Sequence, residues 1–186
     1  SVTYQRSGSE WSVDSIDLQQ AVFDAYLPTD EELILSDVYW YFGDVDSIND
    51  EFILGLEAGA GSDLDQLGIT AEEFAEAFLD GFNYEVGDVT VDGDVATVDV
   101  TITSKSMDEI STEFQNRFTE WASTVDPSTI TSEDDLYKQG GQMLLDATRN
   151  AEAKENAYEV TYTRNSDGDW EMDAASESEL TNAVIS

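Results

Sequence analysis

The chain has 186 residues, of which 42 are acidic and 7 are basic, so its formal net charge is -35. This charge excludes nucleic acid and anionic membranes as partners, because both bind through clustered Lys and Arg. The sequence holds no Cys and no His, which excludes disulfides, thiolate nucleophiles, His-based zinc sites and Ser-His-Asp triads.

The remaining composition is that of a folded protein with an acidic surface. Apolar residues make up 40% of the chain, enough to bury a core despite the charge. No apolar run approaches the ~18–20 residues that a membrane helix needs, so we expect no membrane insertion. Two habitats fit the acidity, a halophile or the exterior of an ordinary bacterium, and low salt should weaken the fold through charge repulsion.

The first 27 residues resemble the end of the same chain. Residues 2–14 repeat the pattern of residues 160–173, and residues 17–22 repeat that of residues 179–184. A chain whose start repeats its end is typical of a tandem array. We therefore predict a stub of an upstream module at residues 1–27 and one complete α+β module at residues 28–186, with residues 1–14 forming a hairpin like that of residues 158–173.

Helices dominate the first half of the predicted module. A short helix at residues 16–26 stops before Pro28, and a capping box formed by Thr29 and Glu32 opens the next helix, which ends at Gly43. Another predicted helix begins at Ser47. The glycines that follow indicate its end and a loop; they are Gly55, Gly59 and Gly61. A second capping box, Thr70 with Glu73, opens a helix that Gly81 ends.

The apolar period then changes from 3.6 to 2, which predicts strands. A first hairpin turns at Asp92-Gly93, and residues 96–102 give its return strand one apolar face. Helices are predicted over residues 106–124 and from Ser132 to about residue 153. The pair Gly140-Gly141 in the second of these indicates close helix–sheet contact or a kink. A second hairpin at residues 158–172 turns at Asp167-Gly168, and a short helix follows from about residue 176.

This order of elements defines the fold class. Two hairpins separated by helices cannot form a parallel doubly wound sheet without crossovers. The prediction is an α+β fold with a curved four-stranded antiparallel sheet and helices packed on one face.

Residues 69–98, and the pattern from Tyr162 to Asp173, resemble lipoproteins of unknown function from Gram-positive, notably actinobacterial, bacteria. The resemblance extends over residues 30–186. It implies an extracytoplasmic protein with a cystatin-like or nuclear transport factor 2-like fold, either secreted or anchored through a lipidated Cys upstream of this sequence. It implies no catalytic residue.

The candidate ligand-binding residues are aromatic: Tyr39, Trp40, Tyr41 and Trp121. Tyr and Trp offer flat apolar faces with polar tips, which suit sugars or apolar ligands in a pocket between the helices and the concave sheet face. Core packing of helices on the sheet explains the same residues, and both interpretations stay open.

Three acidic segments have a calcium-like spacing, and each has a simpler explanation. Residues 44–51 lack the Gly and Glu that an EF-hand loop requires, and their acids suit a helix N-terminus. Asp92-Gly93-Asp94 and residues 165–169 suit hairpin turns. We predict no metal and no cofactor.

The leading functional hypothesis is a non-enzymatic module of a cell-surface lipoprotein. It would act as a spacer, or bind an unknown small ligand or surface protein through the concave sheet face. The alternative is a small hydrolase that uses carboxylates alone, for example on glycans, with Asp80 as the first candidate; a desolvated pair of acids in a deep cleft would favour it. A purely structural repeat is a third hypothesis, favoured if side chains fill the sheet face.

Overall fold

The computed structural model describes residues 4–7, 10–13, 27–43, 45–126, 130 and 132–185. Within these residues the helices are α1 Asp30–Phe42, α2 Val45–Leu67, α3 Ala71–Leu79, α4 Met107–Thr124, α5 Glu133–Asn150 and α6 Ala174–Ile185. The strands are β1 Tyr4–Ser7, β2 Glu10–Val13, β3 Asn83–Asp92, β4 Val95–Ser104, β5 Lys154–Arg164 and β6 Trp170–Met172. The predicted helix at residues 16–26 lies outside the described residues.

The strands β3 to β6 form one antiparallel sheet in the order β3-β4-β5-β6. The sheet is curved and not closed. Alternation along β4 is clear, because Val98, Val100 and Ile102 are buried whereas Asp99 is exposed. Both predicted hairpins therefore belong to a single sheet, and the predicted α+β fold class is confirmed.

Two helices cover the apolar face of this sheet. Ile34, Val38 and Phe42 of α1 and Leu180 and Ala183 of α6 pack against the inward side chains of β4 and β5. The predicted capping box starts α1, with Thr29 N donating to Glu32 Oε2 at 2.8 Å and Glu32 N donating to Thr29 Oγ1 at 3.2 Å. Burial of these apolar side chains, each contributing about 1.5–3 kcal/mol, holds α1 and α6 on the sheet.

The helices α2 to α5 form a second core. Its buried members include Phe74, Phe78, Ile110 and Leu145, and the rings of Phe52 and Phe78 stack at 5.2 Å. The molecule therefore has a sheet-based core and a helical core side by side.

The predicted end of α2 among its glycines is wrong. The helix continues through Gly55, Gly59 and Gly61 to Leu67 and ends at Gly68, whose φ is +70°. Each interior glycine costs about 1 kcal/mol relative to Ala. Burial of an apolar stripe in the helical core offsets that cost. The stripe extends from Phe52 to the end of the helix; its members are Phe52, Ile53, Leu56, Ala60, Leu64 and Leu67.

The contact made by Gly140 and Gly141 also differs from the prediction. Helix α5 continues through both glycines, and the element they approach is the end of α2, not the sheet. A Cβ at Gly141 would clash with the carbonyl oxygen of Leu67. A Cβ at Gly140 would lie 3.8 Å from Leu67 Cδ2, an ordinary contact.

We predict that Gly141→Ala destabilises the protein by more than about 2 kcal/mol, because the clashing atom belongs to a backbone that cannot move alone. Gly140→Ala is the matched control and should be neutral or stabilise by up to about 1 kcal/mol. Urea denaturation followed by circular dichroism measures both. Equal unfolding midpoints for the two variants would show that α2 and α5 do not approach this closely.

The hairpin β1–β2 forms a separate two-stranded sheet. Tyr4 pairs with Val13 and Arg6 with Trp11, as Tyr162 pairs with Met172 and Arg164 with Trp170. Paired antiparallel strands are thus found within the predicted hairpin, at residues 4–7 and 10–13, and its likeness in shape to the closing hairpin stays a prediction. Its assignment to an upstream module stays a prediction.

The side chain of Arg164 fastens the closing hairpin to the start of α1. Its Nη2 lies 2.7 Å from Asp30 Oδ2, its Nη1 donates to Gly168 O at 2.9 Å, and its guanidinium carbon lies 4.3 Å from the ring centroid of Trp170. Trp170 Nε1 donates to Asp30 Oδ1 at 3.0 Å. The hydrogen bond from Arg164, followed by that from Trp170, lowers the pKa of Asp30.

Because the folded-state pKa of Asp30 is lowered, its contribution to stability is present above the ordinary Asp pKa of about 3.9 and is lost as pH falls through the folded value. Asp30→Asn should therefore lower the urea midpoint at pH 6, and its difference from wild type should shrink below about pH 4. The matched control is Asp94→Asn, because Asp94 is 86% exposed and lies 3.8 Å from Arg164 Nε. A difference for Asp30→Asn that does not change with pH would contradict the assignment.

Candidate ligand-binding cleft

Helices α1 and α6 bury the apolar face of the sheet. Val98, Val100, Val160 and Tyr162 are at most 1% exposed beneath α1 and α6. Tyr162 Oη donates to Asp37 Oδ2 at 2.9 Å, and burial together with this bond raises the pKa of Tyr162. Side chains of the covering helices pack against these residues. The predicted pocket over the concave face stays a prediction.

An apolar cleft of about 540 Å³ lies beside the sheet, between α1, α2 and α6. One face of α2 forms its long wall, since the lining residues recur at helical spacing. These residues are Ile48, Glu51, Phe52, Gly55, Leu56, Gly59 and Ala60. Tyr41 and Phe42 of α1 and Thr181 and Val184 of α6 complete the lining.

Two glycines on this face open the cleft. No atom lies within 4 Å of the position of a Cβ on Gly55 or on Gly59. Larger side chains at these positions would project into the space that the cleft occupies. The glycines that suggested a helix end in the sequence therefore form part of a concave wall.

The α1 wall is aromatic and is held in place by hydrogen bonds. Tyr41 Oη lies 2.9 Å from Thr181 Oγ1 and donates to Glu177 O at 3.3 Å. The ring of Tyr41 stands edge-on to Phe42 at 5.4 Å, and Phe42 stacks on Tyr84 at 4.5 Å. Because these rings pack on each other and Tyr41 is hydrogen-bonded, the wall is preformed.

The cleft contains one carboxylate and no cation among its described lining residues. Glu51 is exposed and lies on the α2 face between Ile48 and Gly55. No Lys or Arg is part of the lining. An anionic ligand would find no counter-charge in this cleft.

The sequence-predicted binding residues do not share one site. Tyr41 lines the cleft, whereas Tyr39 and Trp40 are 51% and 83% exposed and are not among the lining residues. Trp121 is half-buried on α4, with its ring 5.5 Å from that of Phe118. The α2 wall was missed because its glycines indicated a loop, although Phe52 and Leu56 already stood at helical spacing.

A second cleft, of about 730 Å³, is polar. It contains Glu73, Glu76, Asp80 and Arg149. Asp80, the candidate for hydrolytic chemistry, has a side chain that is 81% exposed, and Glu73 and Glu76 are exposed as well. A catalytic acid of this type must be desolvated, and these three acids are not.

Behind this polar cleft lies Lys105, a buried residue whose role the sequence did not reveal. It is 3% exposed, and its Nζ donates to Ala77 O at 2.8 Å and to Thr148 O at 3.1 Å, with Asp80 Oδ2 at 4.0 Å. Desolvation lowers the pKa of Lys105, and the charge of Asp80 partly offsets that effect. The ammonium group thus satisfies carbonyl groups in the last turns of α3 and α5.

We predict that Lys105→Met destabilises the protein by about 2–3 kcal/mol, because Ala77 O loses its donor and Thr148 O keeps only the longer bond from Ala151 N at 3.3 Å. The matched control is Lys154→Met, which removes an exposed ion pair with Glu109 and should cost at most about 1 kcal/mol. Urea denaturation compares the two variants. A loss for Lys105→Met no larger than that of its control would show that Nζ contributes little to holding α3 and α5.

Within the described part of the chain, no three carboxylates come close enough together to hold a metal ion. At the closing hairpin Asn165 Oδ1 accepts hydrogen bonds from the backbone of Asp167 and Asp169, both at 3.0 Å. This side chain explains the turn at residues 165–169. The acidic segment at residues 44–51 includes Asp44, which lies outside the described residues.

The described residues thus define a class of protein: an α+β module with helices on one face of an antiparallel sheet and an apolar cleft beside it. Residues 62–185 match the family model described as a domain of unknown function, DUF5105. Because this match covers more than half of the chain, the chain belongs to that family. Most of the cleft lies before residue 62, so the family match includes only its α6 wall.

Among solved structures, a candidate lipoprotein of Bacillus subtilis, YcdA, matches with a TM-score of 0.40 and 16% sequence identity. The match covers 99% of this chain and 65% of the YcdA chain. Similarity at this level does not by itself establish a common fold. No match was found among proteins of curated function. No helix in the described ranges is both long and apolar enough to cross a membrane.

Proposed function

We propose that the chain is a non-enzymatic module that binds an apolar ligand in the cleft between α1, α2 and α6. The observation that carries this proposal is the preformed apolar cleft of about 540 Å³, a volume in the range of small-molecule sites. The wall needs no rearrangement to accept a ligand, since Gly55 and Gly59 leave the space open.

The lining favours an apolar ligand over a sugar. A buried sugar needs several hydrogen-bond partners, but the hydroxyl groups of Tyr41 and Thr181 already bond to each other and to Glu177 O. Apart from Glu51, the remaining lining residues are aliphatic, aromatic or glycine. Tyr41 is the sequence-predicted residue that this proposal retains.

A binding module is also favoured over the carboxylate-only hydrolase. Glu51 in the apolar cleft and Asp80 in the polar cleft are both solvent-exposed. Hydrolysis of a glycan by acids alone requires one acid with a raised pKa in an apolar environment.

The cellular context forms part of the same proposal. We place the module outside the cytoplasm, secreted or anchored through an upstream lipid, and the resemblance of residues 69–98 and 162–173 to lipoproteins supports this. A cystatin-like or nuclear transport factor 2-like fold and tandem copies also stay predictions. The matching registers of the hairpins β1–β2 and β5–β6 support the tandem interpretation.

A structural or spacer module is the second candidate function. The observation that favours it is the filled sheet face, where the inward residues of β4 and β5 are buried. Ligand binding distinguishes the two candidate functions, because a spacer does not need an open apolar cleft.

Titration with N-phenyl-1-naphthylamine, a neutral apolar fluorophore, tests the proposal. We expect one molecule to bind per chain with a rise in fluorescence, and Gly59→Leu to reduce its affinity at least tenfold by filling the cleft. Ala58→Leu is the matched control on the same helix, because Ala58 is exposed and does not line the cleft. Absence of binding, or equal binding by both variants, would favour the spacer.

A further inference from the structure

We infer that the cleft selects a cationic amphiphile, a small molecule with one alkyl chain and one positive charge. This inference rests on the proposed function and adds the class of ligand. Three features of the described residues support it: the length of the apolar wall, the charge of the lining and the aromatic rings in the same lining.

The apolar wall has the shape of a channel for a chain. From Ile48 to Gly59 the lining positions follow one face of α2 over about three turns, which corresponds to about 16 Å. Gly55 and Gly59 in this row have no side chains, so they leave a groove along α2 beside Phe52 and Leu56. An extended alkyl chain fills such a groove better than a compact ring does.

The charge of the cleft lining determines which charge the head group of the ligand should carry. Glu51 is the one carboxylate in the described lining, and neither Lys nor Arg is part of it. Five of the basic residues lie in ion pairs elsewhere; they are Lys105, Arg117, Arg149, Lys154 and Arg164. The net charge of -35 adds a long-range field that attracts cations and repels anions.

The aromatic side chains favour the same head group. Tyr41 and Phe52 both line the cleft that contains Glu51. Ring faces attract alkylammonium groups, most strongly when the cation is partly desolvated. A quaternary ammonium therefore gains from the carboxylate and from the rings, whereas a carboxylate head group gains from neither.

Isothermal titration with three eight-carbon probes tests the inference: octyltrimethylammonium, 1-octanol and octanoate, each below its aggregation limit at pH 7. We expect the cation to bind at least about fivefold more tightly than the alcohol, and octanoate to bind most weakly. Each added methylene should tighten binding about fourfold until the groove is full. Amide chemical shifts of residues 48–60 locate the bound probe.

Two variants with the same change in net charge distinguish recognition of the cation by Glu51 from its attraction to the net charge of the whole protein. Glu51→Gln and Glu57→Gln each remove one negative charge from α2, but only Glu51 lines the cleft. We expect Glu51→Gln to reduce the preference for the cation over octanol about three- to fivefold. Glu57→Gln should leave that preference unchanged.

The outcomes distinguish this inference from the proposed function. Equal binding of all three probes, tighter binding of octanoate, or identical effects of the two Glu variants would overturn the selection of a cation while the apolar cleft still binds. Failure of every probe to bind would overturn the proposed function itself.

Discussion

Two consecutive side chains at the end of β4 fasten three helix ends to the sheet. Ser104 Oγ donates to Ala183 O in α6 at 2.9 Å, and Lys105 Nζ donates to Ala77 O in α3 and Thr148 O in α5. Helix C-termini leave carbonyl groups without partners and carry partial negative charge. A buried ammonium satisfies both requirements, and in doing so it joins the helical core to the sheet-based core.

The cleft is a consequence of how these two cores meet. Helix α1 must lie on the sheet because Ile34, Val38 and Phe42 are buried there, while α2 must lie on the helical core because Phe52 and Leu64 pack there. The two helices therefore pack mainly on different cores, and the cleft lies between them. Bulky side chains on α2 would close that space, whereas its glycines keep it open.

The sequence predicts the features that short-range patterns determine. Alternation along β4, the turn at Asp92-Gly93 and the capping boxes at Thr29 and Thr70 depend on neighbouring residues, and all are found in the structure. The length of α2, the partner of Gly141 and the role of Lys105 depend on residues distant in the chain. Local sequence patterns do not indicate such contacts. Among the residues that line the cleft, Tyr41 is the one that the sequence suggested as a binding residue.

The family match includes only part of the sheet-based core, and the rest of that core comes from residues outside the match. Residues 62–185 contain the whole sheet but only α6 of the two helices that cover it. Without α1, the apolar side chains of β4 and β5 that contact Ile34 and Val38 would meet water, at a cost of about 25 cal/mol for each Å² exposed. The segment before residue 62 therefore completes the core as well as forming most of the cleft. A ligand held there contacts the helix that stabilises the sheet, so binding should couple to the stability of the whole domain.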